Sequence, residues 1–403
     1  MSAFRRRLGV LLTSLLLLSG AAPPVAPAPP PSAPAPRRMR VVFLDALPDN
    51  PFRRNVVGAM RAAANDLGID FVDSVIAQWP GEMLEQVRRL VSGRERPDYL
   101  ITSIHRGIGT RVLEIAEQAR VPVFIINSGL RPEDEKRVGG PRELFTWWIG
   151  QMLPDDLGAG ERLAWLLFEA ARARGPSPDA PVRLVALEGP RRDTSAILRN
   201  EGLGLALSKW KGAELLQSVT ASWLGDEARR KTFLLMRRFP EVQVVWAASD
   251  DMALGAARGI EDAGRRPGVD VLVGGIDWTP QALQAVREGT LETSLGGHFL
   301  EGAWALVLLH DHHQGLDFAS ERLDWRTPFH PLTRANVAAY QDVLARPDWE
   351  AFDFRAFSKA ANPRLKHYDF SLQTLFAQRH GRLPGGPLDT NATPRPPPHE
   401  HEP

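Results

Sequence analysis

The densest group of side chains that could coordinate a metal is a run of histidines at the end of a helical pattern. His310 and His313 are three residues apart, so one helix face could present both to the same ion. The run stands just before Gln314 and Gly315, where the helix would end, and histidines there also suit the negative end of the helix dipole. We therefore expect no functional metal site.

The residue patterns of several enzyme classes are missing from the sequence. There is no Gly-x-Ser-x-Gly elbow, no His-Glu-x-x-His pair and no phosphate-binding loop. Residues 202–204 (GLG) lie inside a helical pattern rather than after a strand, which argues against a dinucleotide site. The chain has no cysteine, which excludes a cysteine nucleophile, a disulfide and a thiolate metal site. We predict neither an enzyme nor a cofactor.

Charge and length limit the class of protein further. The 403 residues carry 49 basic and 48 acidic side chains, so the net charge of +1 gives no sign of a nucleic-acid partner. No helix-turn-helix precedes the first α/β repeat, which also argues against a DNA reader. The chain is long enough for two domains, each with its own core.

The elements that would position a binding site alternate between buried strands and amphipathic helices. In the first half we predict strands at 41–44, 70–72, 99–101 and 121–126, and helices at 51–67, 81–91 and 111–119. In the second half we predict strands at 182–187, 215–219, 242–247 and 269–274, and helices at 195–210, 226–239, 250–263, 280–288 and 303–313. Two runs of one unit predict an α/β protein with two doubly wound parallel-sheet lobes joined by a hinge. Crossovers between lobes are expected at about 131–153 and near Gly296 and Gly297.

The amino terminus has the pattern of an export signal. Three arginines at 5–7 precede a short apolar run at 8–18, which is too short to span a bilayer, and small residues at 19–21 suit cleavage before Ala22. We expect a soluble periplasmic protein, with an uncleaved anchor as the alternative. The predicted domains are a signal peptide (1–21), a Pro/Ala-rich tether (22–38), an N-terminal lobe (39–152 plus 298–325), a C-terminal lobe (153–297 plus 326–345), a carboxyl-terminal extension (346–380) and a disordered tail (381–403).

Four stretches, in order and at matching spacing, carry a resemblance to a known family. They are 49–52 (DNPF), 121–127 (VPVFIIN), 246–256 (WAASDDMALGA) and 273–280 (VGGIDWTP). Over roughly 40–318 the chain resembles type 1 periplasmic binding proteins, the group of ribose, galactose and autoinducer-2 receptors. The resemblance implies a ligand site between the lobes, at the carboxyl ends of the strands.

The same resemblance implies a set of ligand-binding residues. They are Asn50, Phe52, Asn127, Arg199, Trp223, Ser249, Asp250, Asp277 and His298. Amide and carboxylate groups suit hydroxyl groups, since an amide both donates and accepts and a carboxylate accepts strongly in a dry cleft. Asn50 and Asp250 also have structural alternatives, as a helix cap and as a charge at the positive end of a helix dipole.

The chain departs from the family pattern at three places. Arg53 follows Phe52 where ribose-type proteins have a second aromatic residue, Ser128 follows Asn127 where they have arginine, and His298 stands where Gln or Arg is usual. These differences argue against ribose and autoinducer-2, so the ligand stays open within a sugar-like class. The resemblance implies a monomer that captures a small polar ligand, a sugar or polyol, by hinge closure and delivers it to an ABC permease. The alternative is a receptor that signals through a membrane histidine kinase or cyclase.

Overall fold

The computed structural model describes residues 37–46, 49–74, 80–175 and 180–380. The predicted signal peptide, nearly all of the tether and the predicted tail lie outside these residues. None of the helices in the described part of the chain combines the length and apolarity that crossing a bilayer requires.

Strands and helices alternate through most of the described chain. The strands are β1 (Arg40–Leu44), β2 (Asp70–Ser74), β3 (Tyr99–Thr102), β4 (Val123–Ile126), β5 (Trp148–Pro154), β6 (Val182–Glu188), β7 (Ala213–Thr220), β8 (Val244–Ala247), β9 (Leu272–Ile276), β10 (Thr293–Gly296), β11 (Asp324–Thr327) and β12 (His330–Thr333). The helices are α1 (Pro51–Leu67), α2 (Pro80–Ser92), α3 (Gly109–Ala119), α4 (Pro132–Val138), α5 (Asp156–Arg174), α6 (Thr194–Lys209), α7 (Gly225–Arg238), α8 (Asp250–Asp262), α9 (Pro280–Glu288), α10 (Glu301–His313), α11 (Val337–Leu344) and α12 (Leu372–His380).

The described strands form two six-stranded sheets, one in each lobe. The first has the order β11-β5-β4-β3-β1-β2 and the second β12-β10-β9-β8-β6-β7. Every pairing between these strands is parallel except that of β10 with β12. The chain therefore passes between the lobes three times: after β5, after β10 and between β11 and β12. These three passages, which we call the crossings, are the places where the lobes could rotate against each other.

Local sequence signals explain why β1 is a buried strand and where α1 begins and ends. Residues 41–44 of β1 are at most 1% exposed, as expected for a parallel strand covered by helices on both faces. Helix α1 begins where Asn50 Oδ1 accepts a hydrogen bond from the Arg53 amide at 2.8 Å, with Pro51 in its first turn. It ends at Gly68, whose φ of 67° is the left-handed conformation that glycine adopts without strain.

The prediction for residues 131–153 was wrong, because this segment is not a crossover. It holds α4 and β5, and β5 lies inside the first sheet between β4 and β11. All residues of β5 are buried, including the polar Gln151. The polar and aromatic composition of 131–153 therefore does not indicate a surface segment. The first crossing follows Pro154. Helix α5 comes next, in a segment where the sequence analysis predicted no element. It packs against α6 and against β9 and β10 of the second sheet.

Residues 346–380, the carboxyl-terminal extension, pack on α1 and α10 of the first lobe. Trp304 of α10 lies 4.7 Å from Phe357 and 5.2 Å from Phe370, ring centre to ring centre. On the other side, Phe376 of α12 lies 6.2 Å from Tyr340 of α11, which packs on the second lobe through α9. The extension therefore contacts elements of both lobes.

Candidate functional site

A cavity of about 610 Å³, counted with its open mouth, lies where the carboxyl ends of the two sheets face each other. Residues from both lobes and from the second crossing line it. They are Asn50, Pro51, Phe52, His105, Asn127, Ser128, Ser195, Arg199, Trp223, Ser249, Asp251, Asp277, Thr279 and His298. Most of them lie within three residues of the carboxyl end of a strand, so the open α/β sheet brings them to one place.

The wall from the first lobe presents amide and hydroxyl groups. Asn50 caps α1 through Oδ1 and also lines the cavity, so both of its predicted roles are compatible. Asn127 has a positive φ of 58°, and its Nδ2 donates to Glu301 Oε2 at 2.8 Å and to the His298 carbonyl at 3.0 Å. These bonds hold the Asn127 side chain in place and leave its Oδ1 without a partner in the hydrogen bonds described.

Arg199 places a rigidly held cation in the site. Its side chain is buried, Nε donates to Asp156 Oδ1 at 2.7 Å, and Nη1 donates to the Ala248 carbonyl at 2.7 Å. Burial raises the pKa of Asp156 to about 6, although the Arg199 charge opposes that rise. A guanidinium fixed by two bonds can meet a ligand without losing further side-chain entropy.

Asp277 reaches the cavity through an unusual turn at the end of β9. Asp277 and Trp278 both have positive φ, 141° and 56°, and Trp278 packs so closely on Gly296 that a Cβ there would lie 2.2 Å from the indole. Such backbone costs on the order of 1–3 kcal/mol per residue and is typical of functional sites. Burial raises the pKa of Asp277 well above its usual value, even with Arg199 Nη1 at 3.7 Å.

His298 follows the second crossing and sits between two aromatic rings. It stacks on Phe52 with ring centres 4.5 Å apart and packs on Phe329 at 4.6 Å. Burial, helped by the Arg199 charge, lowers its pKa well below the usual value, so the ring is neutral at physiological pH. A neutral imidazole has one donor and one acceptor, which suits an uncharged hydroxyl.

Trp223 and Asp193 join the cavity to the contact between the lobes. Trp223 Nε1 donates to Asp193 Oδ2 at 3.1 Å. Asp193, in the second lobe, also accepts from the Arg106 amide of the first lobe at 2.8 Å and lies 3.5 Å from His105 Nδ1. The last distance describes an ion pair rather than an aligned hydrogen bond. A further bond between lobes runs from Thr194 Oγ1 to the Gly129 carbonyl at 2.9 Å.

His105 carries a buried positive charge in this contact. On its other side, Nε2 lies 3.1 Å from Asp45 Oδ1. Burial alone would lower its pKa, but the nearby carboxylates of Asp193 and Asp45 outweigh burial and raise the pKa to about 10. The same imidazolium holds the pKa of Asp193 below its usual value despite burial.

The structure corrects one predicted site residue. Asp250 is fully buried and does not line the cavity, because its carboxylate accepts from the Thr279 amide at 2.9 Å and from Ser294 Oγ at 2.7 Å. Its neighbour Asp251 lines the cavity instead and accepts from the Gly225 amide at 2.9 Å. Ser249, another residue that the resemblance implies for ligand binding, caps α8 and lines the cavity.

Several cavity residues were missed in the sequence analysis. They are Pro51, His105, Ser128, Ser195, Asp251 and Thr279. His105 and Ser128 follow β3 and β4 within a few residues, so the rule that ligands meet the carboxyl ends of strands could have identified them. Asp156 and Asp193, which orient other site residues, have no comparable sequence signal.

The histidines considered as metal ligands have other partners. His310 Nδ1 lies 3.2 Å from Asp311 Oδ1 and from Ser358 Oγ, and His313 packs edge-on against Tyr99 with ring centres 6.0 Å apart. Between them, His312 Nδ1 pairs with the Tyr99 hydroxyl at 2.8 Å. No cluster of three or more potential metal ligands occurs among the described residues.

The comparison with protein families agrees with this architecture. A model described as a periplasmic binding protein domain matches residues 41–317. The chain belongs to the periplasmic binding protein family. The resemblance to type 1 members and the predicted two-lobed α/β fold are thereby confirmed.

Curated relatives of this periplasmic binding protein are named for sugars and polyols. The xylitol-binding protein of Mycolicibacterium smegmatis is 29% identical over 175 residues, which are 43% of this chain and 44% of the relative. The galactofuranose-binding protein of Escherichia coli is 26% identical over 46% of this chain and 54% of its own length. The chain thus spans about half the length of these two relatives. The ribose import binding protein of Salmonella typhimurium is 25% identical over 66% of this chain and 81% of its own length.

Solved structures extend the likeness over most of the chain. A periplasmic sugar-binding protein from Pseudomonas fluorescens has a TM-score of 0.75 and 34% identity, covering 84% of this chain and 99% of that structure. A galactofuranose binding protein has a TM-score of 0.66 at 19% identity, which supports the fold alone.

Proposed function

We propose that this protein is a periplasmic solute-binding protein that captures one small polyhydroxylated ligand, a sugar or polyol, between its lobes and delivers it to an ABC importer. The observation that carries the proposal is the cavity between the lobes, where the fixed guanidinium of Arg199 and the carboxyl of Asp277 face amide and hydroxyl groups of the first lobe.

The cavity chemistry fits a neutral ligand rich in hydroxyls. Asn127, Ser128, Ser195 and Thr279 bring groups that can pair with hydroxyls in either direction. His298 is neutral at physiological pH, and burial raises the pKa of the Asp277 carboxyl well above its usual value, so the cavity disfavours charge on both groups. Phe52 and Trp223 add flat apolar surfaces for the C–H faces of a sugar ring.

The contacts between lobes support capture by hinge closure. Asp193 lies 3.5 Å from His105 and accepts from the Arg106 amide across the lobes, which are contacts that would favour a closed form. An open form would lose these contacts and expose the cavity to solvent. A ligand that touches both walls shifts the protein to the closed form by its differential affinity for that form.

The named relatives support the ligand class and the importer. Their names specify xylitol, galactofuranose and ribose, and the last is an import protein. Delivery to a transporter is therefore favoured over signalling through a membrane kinase or cyclase. A periplasmic location follows from the same role, and export would need the predicted signal at residues 1–21.

A thermal-shift screen tests the proposal directly. The exported protein is incubated with D-ribose, D-galactose, D-fructose, xylitol and myo-inositol. A ligand at a hundred times its Kd stabilises the folded state by about 2.7 kcal/mol, which gives a clear rise in Tm. The rise should disappear in Asp277→Asn and persist in the control Asp262→Asn, whose carboxylate lies at the surface of α8 and pairs with Arg229. No rise with any of the five compounds would contradict the proposed ligand class.

A further inference from the structure

A second cavity, distinct from the first, lies at the crossings under the carboxyl-terminal extension. It measures about 960 Å³ with its open mouth and shares no lining residue with the first cavity. It is lined by β11 and its flanks, by residues of the crossings and by the start of the extension's last helix. The lining residues are Met152, Gly297, Trp304, Arg322, Trp325, Arg326, Thr327, Pro328, His330, Tyr368, Phe370, Ser371, Leu372 and Gln373.

Two buried polar atoms of this hinge cavity have no hydrogen-bond partner among the described residues. Trp325 is 7% exposed and its Nε1 is unpaired, and His330 is 5% exposed with Nδ1 unpaired. A buried donor or acceptor left without a partner costs about 1–3 kcal/mol. Both residues line the cavity through other atoms, so a small turn of either ring on ligand binding would give its nitrogen a partner from the cavity.

The charge of the hinge cavity is positive. Of the described residues that line it, two are arginines and none is acidic. Arg326 pairs with Asp324 at 2.8 Å. Arg322 lies 4.9 Å over the Trp325 ring and has no carboxylate within ion-pair distance in the part of the chain that the structure describes. Burial lowers the pKa of His330 to about 4, so this residue adds no charge at physiological pH.

Aromatic side chains make up the remaining wall of the cavity. Phe370 stacks with Tyr368 at 5.4 Å and packs on Trp325 at 5.3 Å and Trp304 at 5.2 Å, ring centre to ring centre. Stacked aromatic rings of this kind accept a further flat ring in an offset or edge-on arrangement. The cavity thus combines a flat apolar wall, a free guanidinium and an unpaired indole N–H.

We propose that the hinge cavity is a second ligand site, which takes a small aromatic carboxylate. The ring packs against the aromatic wall, and the carboxylate accepts hydrogen bonds from Arg322 and, once the indole turns toward the cavity, from Trp325 Nε1. A planar guanidinium recognises a carboxylate well, since two parallel N–H groups match its two oxygens.

The hinge cavity lies beside two of the three crossings, so a ligand bound there can affect binding in the main cavity. Gly297, with φ of 118°, belongs to the second crossing, and Pro328 lies in the third, between β11 and β12. A ligand that touches both segments restricts the backbone rotations that lobe opening requires. This coupling rests on the proposed hinge closure, and by linkage each ligand would change the affinity for the other by the same factor.

Fluorine NMR with 4-fluorobenzoate as the probe tests binding to the hinge cavity. The exported protein should broaden the probe resonance, and unlabelled benzoate should reverse the broadening. The uncharged analogue 4-fluorobenzyl alcohol should bind at least about tenfold more weakly, because it cannot form the charge-assisted bonds. Arg322→Gln and Trp325→Phe should each weaken binding about tenfold, the latter while keeping an aromatic ring. The control Arg229→Gln removes an exposed arginine of the second lobe and should have no effect.

Hydrogen exchange of the Arg106 amide tests the coupling without any sugar. This amide bonds to Asp193 only in the closed form, so benzoate should slow or speed its exchange in the wild type and not in Arg322→Gln. Equal probe binding in Arg322→Gln, Trp325→Phe and wild type would overturn the site. Binding that depends on both residues but leaves the Arg106 exchange unchanged would overturn the coupling alone. Failure of the sugar screen would affect neither measurement, so the two proposals fail separately.

Discussion

The contact between the lobes provides the sharpest test of the closure mechanism. Asp193→Asn keeps the size of the side chain and removes its charge. His105 then loses the carboxylate that the second lobe supplies and keeps Asp45 from its own lobe. The amide oxygen that this substitution introduces can still accept from the Arg106 amide, but the amide nitrogen cannot accept from Trp223 Nε1, so the bond to Trp223 is lost together with the charge. We expect weaker ligand binding with little change in the stability of either lobe.

The pKa of His105 sets the size of the effect. A rise from 6.5 to about 10 corresponds to roughly 5 kcal/mol, at about 1.4 kcal/mol for each pKa unit. Asp45 stays beside His105 in an open form, so about half of that energy, roughly 2–3 kcal/mol, belongs to closure. Asp193→Asn should therefore weaken the affinity about 30- to 150-fold.

The pH dependence gives a second readout with a definite sign. Because the pKa of His105 is higher in the closed form than in an open form that keeps only Asp45, its contribution to closure is fully present below the open-form pKa and is lost as the pH rises toward 10. Arg53, whose Nε lies 3.8 Å from Asp45 Oδ2, is the other charge close to this pair. Wild-type affinity should fall between about pH 7 and pH 10, and binding should take up protons. The fall should be smaller in Asp193→Asn.

Isothermal titration calorimetry in buffers of different ionisation enthalpy measures both the ligand affinity and the number of protons taken up on binding. The titrant is the compound from the thermal-shift panel that stabilises the protein most. Asp262→Asn is the matched control, since it removes a surface carboxylate far from the contact between lobes. Equal affinities and equal pH profiles for Asp193→Asn and the control would refute the argument that this ion pair stabilises the closed form.

Three further substitutions test other parts of the structure. Arg199→Lys cannot make both bonds to Asp156 and the Ala248 carbonyl. Calorimetry should show at least about a tenfold loss of ligand affinity, and urea denaturation should show a free energy of unfolding lower by about 2–3 kcal/mol. Trp223→Phe keeps a ring but loses the Nε1 bond that helps hold the contact between lobes, which should weaken ligand binding about tenfold by calorimetry. Phe354→Ala removes a fully buried ring of the extension and should lower the free energy of unfolding by about 3–5 kcal/mol in urea.

Matched control variants separate these effects from a nonspecific loss of stability. Arg229→Lys changes an exposed arginine, and Leu224→Ala shortens a side chain that is 51% exposed, so each should alter stability by less than about 0.5 kcal/mol. Unchanged stability in Phe354→Ala would mean that the extension does not belong to the cooperative folding unit. Normal affinity in Arg199→Lys or Trp223→Phe would remove that residue from the binding argument.

The sequence alone determined the fold class and most of the elements near the site. Short continuous apolar runs such as 41–44 and 244–247 indicate strands buried on both faces, and helix signals such as Asn50, Pro51 and Gly68 act over a few residues. Because parallel strands place their carboxyl ends at one edge, the order of the elements was enough to bring most of the predicted binding residues to one cavity.

Only the tertiary structure decided how the lobes meet and which polar groups reach the cavity. The choice between Asp250 and Asp251 depends on Ser294, a residue 44 positions away in sequence, which bonds to Asp250 and holds it in the interior. The pairing of His105 with Asp193 joins residues of different lobes, and no local pattern encodes it. The second cavity likewise exists only because residues 346–380 fold back over the crossings. Such contacts depend on the packing of distant segments, which the spacing of residues along the chain does not specify.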